Sequence, residues 1–249
     1  METILVLFIL SFVAGVIAGF GGSSAFIPIV GLIFLTSLTT TEISGTAATS
    51  FFIATLFGSV LYWKSGDHDR QLLSLLVPPA IIGTQIGVYI NGFITPVLFN
   101  RVIGIIAIIL GVLLLRPILL TKTTEISFDK TSVHGKVSLI FFGLFVGVIA
   151  GLTGIGGIPL IVPALLIFNI HPLTSIATGF AVATFNTLFT SIAYIRQGAV
   201  QFDYVLYIAV PFALAQIIGW KISRRIDITN LKFVLAIFNI LLGGYLLIY

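Results

Sequence analysis

The sequence predicts an all-α integral membrane protein of two inverted repeats, each a glycine-broken helical hairpin followed by three transmembrane helices. Three observations carry this prediction: an apolar composition, a glycine motif that occurs twice inside over-long apolar runs, and an internal repeat of about 100 residues. Of 249 residues, 58% are hydrophobic and 8% are charged. A soluble domain carries about 25% charged residues, so a soluble fold could not bury this much apolar surface.

Eight apolar runs follow one another along the chain. They fall at residues 3–38, 43–63, 71–90, 97–119, 137–169, 174–195, 203–220 and 231–249. A membrane-spanning helix needs about 20 residues, so six runs fit one span each. The runs 3–38 and 137–169 are too long for one helix. We expect each to break into two arms of about 15 residues, roughly 22 Å long and short of the ~30 Å hydrocarbon core.

Both long runs contain the same motif, Gly-x-Gly-Gly, then five residues, then Pro, at Gly19–Pro28 and Gly154–Pro163. Glycine and proline end or kink helices. Glycine also allows a ligand to approach the backbone, and the following arm presents free N–H groups and a positive dipole end, which together bind anions. The alternative is that these glycines only let helices pack closely, as the spacing of Gly143, Gly147 and Gly151 indicates for that stretch.

The second half of the chain repeats the first. A shift of 132 residues aligns Gly15–Gly19 with Gly147–Gly151 and Tyr62 with Tyr194, while the glycine motifs themselves align at 135. Register kept over about 100 residues indicates a duplication. The predicted units are residues 1–120, the linker 121–136 and residues 137–249.

The distribution of lysine and arginine predicts the orientation of the repeats. If each long run returns to the side where it started, ten of the 12 basic residues share one side, and only Arg101 and Arg196 face the other. If each long run crosses once, the split is 7 to 5. Basic residues favour the cytoplasmic side, so the first topology is preferred. It inverts the repeats, as in many secondary transporters, and places the linker in the cytoplasm and both termini outside. Pairs of helices that nearly span the membrane would place the basic residues on the same sides as re-entrant hairpins would.

In an inverted pair the two hairpin tips can meet near the midplane. We predict a site made of tip backbone groups and neutral polar side chains from the apolar runs. Its residues are Gly21, Gly22, Ser23, Ser24, Thr49, Ser50, Gln85, Gly154, Gly156, Gly157, Asn186 and Gln216. Neutral donors suit an oxyanion that must bind and leave again. The alternative for the hydroxyl groups is interhelical hydrogen bonding, which explains the amides less well because they cost more to bury unpaired.

Other chemistries find little support in the sequence. All eight acidic residues lie in loops or at segment ends, which argues against a cation site or proton relay at the midplane. There is no cysteine, and the three histidines lack metal-ligand spacing, so we expect no metal and no cofactor. No Ser–His or Asp pair lies inside the apolar runs, so we expect no enzymatic activity. The net charge of +4 is not a nucleic-acid signature in a chain this apolar.

The duplicated motif, the chain length and the two similar halves resemble the TauE/SafE sulfite exporter family, also called the toluene sulfonate uptake permease family. Residues 151–163, GLTGIGGIPLIVP, are the best match, whereas the first copy departs from the family pattern at Ser23 and Ser24. The resemblance implies transport of sulfite, sulfonates or related small anions across the inner membrane of a prokaryote, and the family name implies export. It fixes neither the substrate nor the direction.

Two other functions stay open at this point, an anion channel and a non-transporting membrane scaffold module. The expected partners are a small inorganic or organosulfur anion and the lipid bilayer. The sequence leaves the oligomeric state open, a homodimer included.

Overall fold

The computed structural model describes residues 2–19, 24–64, 68–119, 129–223 and 229–248, and this part of the chain is helical apart from short connections. The helices are α1 (Glu2–Gly19), α2 (Phe26–Leu35), α3 (Thr40–Lys64), α4 (Arg70–Asn91), α5 (Pro96–Leu119), α6 (Val133–Thr153), α7 (Ile158–Ile167), α8 (Pro172–Arg196), α9 (Phe202–Ser223) and α10 (Thr229–Ile248). Seven helices of the described part are long and apolar enough to cross a membrane. The predicted all-α membrane fold is therefore confirmed.

The two long apolar runs do break at the glycine motifs, but the prediction of two equal arms is wrong. The arms before the breaks, α1 and α6, have 18 and 21 residues, whereas the arms after them, α2 and α7, have ten each. At 1.5 Å per residue the first arms are about 27–31 Å long and the second arms about 15 Å. Each broken run therefore pairs a helix of spanning length with a half-length helix.

Local signals explain these lengths in the second half. The Ser132 hydroxyl accepts a hydrogen bond from the Gly135 N–H at 3.0 Å and starts α6 before the apolar run begins. Asn169 has a positive φ of 59°, and it follows α7 and precedes the helix start at Pro172. Polar caps and turn residues, and not the ends of the apolar run, therefore set the helix bounds.

Residues related by the 132-residue shift make the same contacts in both halves. The Tyr62 hydroxyl donates to the Gly19 carbonyl at 3.1 Å, and the Tyr194 hydroxyl donates to the Gly151 carbonyl at 2.9 Å. The packing of α1 against α9 has its counterpart in the packing of α6 against α4. The five-helix order of the first half thus recurs in the second, and each half packs its long first arm against the other half.

Small residues allow these two helix pairs to come into backbone contact. A Cβ added at Gly147 would lie 2.1 Å from the Ala80 carbonyl oxygen, and one added at the equivalent Gly15 would lie 2.3 Å from the Phe212 carbonyl oxygen. Such close approach is how helices gain packing energy inside a membrane, where burial from water provides no force between them. The packing reading of these glycines is therefore correct for the arms themselves.

Equivalent helices run antiparallel where they meet. The hydroxyl groups of Thr49 and Ser191 lie 2.8 Å apart, and those of Thr55 and Thr187 lie 3.2 Å apart. Because the residue number rises along α3 while it falls along α8, the two helices are antiparallel. An inverted repeat would produce such an antiparallel crossing of equivalent helices, and the inverted relation of the two halves stays a prediction. How the halves are placed in a membrane stays a prediction.

The described end of the linker is fastened to the start of α4. The Lys130 ammonium forms an ion pair with Asp69, whose carboxylate also accepts hydrogen bonds from the Gln71 and Leu72 N–H groups at 2.9 and 3.1 Å. Burial, the largest single effect, raises the pKa of the Asp69 carboxyl, but the Lys130 contact and the two N–H donors together hold it below its ordinary value. Asp69 thus caps α4 and joins the two halves.

We predict that Gly147→Ala lowers the thermal stability of the detergent-solubilised protein. The added methyl group would force α4 and α6 apart, at a cost of about 1–3 kcal/mol in the free energy of unfolding. The matched control is Gly244→Ala in α10, because a Cβ at Gly244 meets nothing within 4 Å. Equal unfolding temperatures for the two variants would show that the α4–α6 contact does not hold the halves together.

Candidate functional site

The break between α6 and α7 is the described copy of the glycine motif. Gly154, Gly156 and Gly157 have φ values of 78°, 82° and 107°, which side chains other than glycine rarely adopt. The Gly154 N–H closes α6 by donating to the Ala150 carbonyl at 2.8 Å. All residues from 151 to 160 are buried. The motif therefore produces a sharp turn in the interior of the protein.

Side chains from other helices satisfy carbonyl groups at the end of α6. The Gly151 carbonyl accepts from the Tyr194 hydroxyl, and the Leu152 carbonyl accepts from the Ser44 hydroxyl at 2.9 Å and from the Asn91 amide. The Asn91 amide also donates to the Ser44 hydroxyl at 2.9 Å. Helix ends leave such carbonyls without intrahelical partners, and burial would make that costly. Side chains of the protein thus satisfy the Gly151 and Leu152 carbonyl groups on the α6 side of the break.

The donor side of the break is left open. Among the described residues, the N–H groups of Gly156, Gly157 and Ile158 have no hydrogen-bond partner. Gly157 begins α7 without a side-chain cap, and Pro159 in the first turn has no N–H to place. Three buried donors therefore converge at the positive end of a ten-residue helix, an arrangement that favours an anion.

Asn186 on α8 lies against the same turn. Its Nδ2 donates to the Gly156 carbonyl at 3.0 Å, and it lies 3.3 Å from the place where a Cβ on Gly157 would be. The residue is fully buried, and within the described part of the chain its Oδ1 has no partner. Because a carbonyl can only accept, the contact with Gly156 fixes which way the amide points. The turn therefore offers donors from the backbone and one unused acceptor from Asn186.

The turn reaches the middle of the two crossing helices. A Cβ on Gly156 would lie 2.8 Å from the Thr187 methyl group, and Thr187 meets Thr55 of α3 at 3.2 Å between hydroxyl oxygens. Both threonines lie near the centre of 25-residue helices, α3 and α8. A ligand at the start of α7 would thus lie midway along the helices that join the two halves.

The first tip was predicted to complete this site. Gly21, Gly22 and Ser23 lie outside the described residues. Ser24 is fully buried, and its hydroxyl donates to the Ala14 carbonyl at 2.7 Å, so it fastens α2 to α1. The proposal that two tips form one site therefore stays a prediction.

The predicted polar side chains of the first half form hydrogen bonds within α3, within α4 and from α4 to α8. The hydroxyl groups of Thr49 and Ser50 each donate to a carbonyl one turn earlier in α3, at 2.8 Å. Gln85 is exposed on α4, and its amide donates to the Thr84 hydroxyl at 3.2 Å and to the Phe189 carbonyl at 3.4 Å. The bonds of Thr49 and Ser50 to these carbonyls lie within α3, whereas the bond of Gln85 to Phe189 joins α4 to α8. The part of these residues in a site stays a prediction.

Gln216 on α9 is the second predicted amide that the structure leaves unused. It is 1% exposed, and neither its Nε2 nor its Oε1 has a partner among the described residues. A Cβ on Gly58 would lie 2.9 Å from its Oε1, which places the amide one helical turn beyond Thr55 along α3. A buried amide with no partner is costly, so this position also calls for a ligand or water.

Sequence reasoning missed the residues that support the turn. Ser44 and Asn91 were not predicted. Asn91 is buried and lies 61 residues away in sequence from Leu152, whose carbonyl accepts its hydrogen bond. The only signal was a polar residue just past the end of an apolar run. The Tyr62–Tyr194 equivalence was visible in the repeat, but its use in holding the Gly19 and Gly151 carbonyls was not.

The groups at the turn are hydrogen-bond donors and acceptors. Within the residues that the structure describes, no three His, Cys, Asp or Glu side chains come together as a metal site would require. The residues at the turn supply N–H groups, hydroxyl groups and amides, with no acid–base pair for proton transfer. What the arrangement can do is hold a small anion away from water.

Comparisons with known proteins point to one family. The family model described as "Sulfite exporter TauE/SafE" matches residues 3–246. The chain is 38% identical over 75 residues, 30% of either chain, to the "Probable membrane transporter protein YjnA" of Bacillus subtilis (strain 168). It is also 24% identical, over 97% of this chain and 96% of the relative, to the "Probable membrane transporter protein YunE" of the same organism. No solved structure matches the chain significantly.

We predict that Gly157→Ala abolishes anion binding while Gly198→Ala does not. Both glycines have positive φ, at 107° and 69°, so both variants carry the strain of a left-handed alanine. Only at Gly157 would the methyl group meet Val146, at 2.6 Å, and Asn186. Alanine keeps the backbone N–H, but the clash would displace the turn and misplace its donors. Losing one charge-assisted hydrogen bond in this way should weaken sulfite binding at least about tenfold, as measured by the sulfite-induced thermal shift. Equal shifts in the two variants would remove the turn from the site.

Proposed function

Because the chain belongs to the sulfite exporter TauE/SafE family, we propose that it is a membrane carrier of sulfite or a related small sulfur-containing anion. The observation that carries the proposal is the set of three buried N–H groups at the start of α7 that find no partner among the described residues. In a membrane interior such donors are costly unless a ligand uses them. An anion at this position would accept all three and lie in the positive field of the helix end.

The neutral character of the site favours a small, weakly held anion. The helices around the turn carry their basic residues at or near their ends, as with Lys136 of α6 and Arg196 of α8. A lysine or arginine in contact would bind an anion tightly and slow its release, whereas backbone donors allow it to leave. A carrier needs such moderate binding in order to turn over.

We propose that the two halves form an inverted repeat and move against each other. Support comes from the antiparallel crossing of α3 and α8, which are equivalent helices. A two-fold axis that relates two antiparallel membrane-spanning helices is perpendicular to them and therefore lies in the membrane plane. Midplane sites between inverted repeats are typical of alternating-access transporters. In this arrangement the protein lies in a prokaryotic plasma membrane with both termini outside.

One end of the α3–α8 pair is closed by polar contacts. The Gln201 N–H donates to the Thr46 hydroxyl at 3.0 Å, and the Gln201 amide donates to the Glu42 carboxylate at 2.7 Å. Glu42 also accepts from the Thr39 N–H and hydroxyl group, at 2.9 and 2.8 Å. The α8–α9 connection is thus bound to the start of α3.

The equivalent contacts at the other end are not made by the described residues. Thr178 corresponds to Thr46, and its buried hydroxyl has no partner there. Asp69 corresponds to Gln201, and its carboxylate is used instead by α4 and Lys130. The described residues thus form polar contacts at one end of the α3–α8 pair and not at the equivalent end. A transporter caught in one state of an alternating cycle would show this asymmetry, so we propose that the Glu42–Gln201 end is a gate.

The transport proposal predicts sulfite uptake by proteoliposomes that contain the purified protein. Labelled sulfite should accumulate above the level in empty liposomes, the Gly157→Ala variant should lose at least about 90% of the flux, and Gly198→Ala should keep it. Steady single-channel currents carried by sulfite would instead identify an anion channel. Wild-type flux equal to that of empty liposomes, for sulfite and for sulfonates, would refute transport of this class.

The gate proposal predicts that a cross-link between positions 46 and 201 stops transport. The chain has no cysteine, so Thr46→Cys with Gln201→Cys creates a single pair, and the 3.0 Å contact brings the two backbones within disulfide range. Oxidation should lower sulfite flux at least about tenfold, and reduction should restore it, since a closed gate blocks every cycle. Each single-cysteine variant is the control for oxidation itself. Full flux through a verified cross-link would show that this end does not open.

A further inference from the structure

The turn at α7 contains an acceptor that an ordinary anion could not use. The N–H groups of Gly156, Gly157 and Ile158, which have no partner in the described part of the chain, can each donate to an anion oxygen. The Asn186 Oδ1 beside them can only accept, is fully buried, and has no partner among the described residues. An anion without a proton would leave this oxygen unpaired and would place a negative charge close to it. The site is therefore matched to a ligand that carries both a negative charge and a hydrogen to donate.

We propose that the transported species is the protonated monoanion, hydrogen sulfite or a like-charged hydrogen-bearing oxyanion, and not the sulfite dianion. This inference rests on the proposed transport function. The charged oxygens accept from the α7 N–H groups, while the proton of the ion is donated to Asn186 Oδ1. The contact of Asn186 Nδ2 with the Gly156 carbonyl holds the oxygen in the accepting orientation.

Charge selects the same species. The cost of taking an ion out of water rises steeply with its charge, and no lysine or arginine side chain among the described residues lies at the turn to offset a second negative charge. Gln216, one turn beyond Thr55, offers a further unused amide with both a donor and an acceptor. A monoanion that carries its own proton also explains why transport needs no carboxylate at the midplane.

Ionisable side chains on the surrounding helices lie at helix ends or have partners. Glu42 of α3 is held by Thr39 and Gln201, and the hydroxyl groups of Tyr62 and Tyr194 donate to carbonyls. The others with described side chains on the packed elements all lie within six residues of a helix end: Arg70 and Tyr89 of α4, Arg101 of α5, His134 and Lys136 of α6, Arg196 of α8, and Asp203, Tyr204, Tyr207 and Lys221 of α9. None belongs to α7 or to the turn. Protonation of the substrate is therefore the titration that we expect to control transport.

The test compares two substrates in the wild-type protein. Proteoliposomes with equal pH on both sides are given labelled sulfite or labelled selenite at fixed total concentration, and empty liposomes correct for leak. Uptake of each ion should fall as the pH rises and the monoanion loses its proton. Hydrogen selenite keeps its proton to higher pH than hydrogen sulfite, so selenite uptake should fall at a higher pH than sulfite uptake. Both uptake rates should follow the monoanion concentration.

Each outcome decides the matter. A fall at the same pH for both ions would identify a titrating protein group and overturn the proposal, as would uptake that is constant or rises with pH. Either result leaves transport itself standing. No uptake of either ion at any pH would refute the transport proposal, and this one with it.

A variant pair links the effect to Asn186. Asn186→Leu should lower uptake of the monoanion about 10- to 100-fold, because the hydrogen bond to a charged ligand is lost, and should reduce the preference for the protonated form. Asn239→Leu is the control, since Asn239 is another fully buried amide without a partner among the described residues, on α10 and away from the turn. Equal loss in the two variants, or an unchanged preference in Asn186→Leu, would overturn the role of Asn186. The two-ion comparison stands even if the leucine variant does not fold.

Discussion

The fold depends on how a broken helix satisfies its backbone inside a membrane. Lipid offers no hydrogen bonds, so every carbonyl and N–H freed by a break must find a partner within the protein. At the end of α6 the carbonyls of Gly151 and Leu152 find Tyr194, Ser44 and Asn91. At the start of α7 the N–H groups find none among the described residues. This imbalance is the reason why we propose that the break binds negative charge.

The duplication supplies the groups that support the break. In each half the tyrosine donates to the last glycine of that half's own first arm, Tyr62 to Gly19 and Tyr194 to Gly151. The two crossing helices meet through Thr55 and Thr187. Because the helices that hold the turn are the same ones that join the halves, motion between the halves would alter access to the anion. The polar contacts at the Gln201 end and their absence from the described part of the other end fit such a motion.

Much of this could be predicted from the sequence. The glycine motif placed the break, and the apolar runs placed the helices, because both signals are local. The arm lengths were wrong because an apolar run does not record caps such as Ser132 or the turn at Asn169. The partners of the break could not be predicted either, since the contact of Asn91 with Leu152 arises only when distant helices pack. Asn186 was predicted as a donor, whereas its unused oxygen became visible only once Gly156 fixed its amide.

The most direct measurement is an experimental structure of the protein with selenite, in which anomalous scattering locates selenium. The account predicts a selenium peak at the start of α7, with ligand oxygens within hydrogen-bond distance of the Gly156, Gly157 and Ile158 nitrogens and of Asn186 Oδ1. A selenium peak elsewhere, with these N–H groups bonded to protein or to water alone, would contradict it.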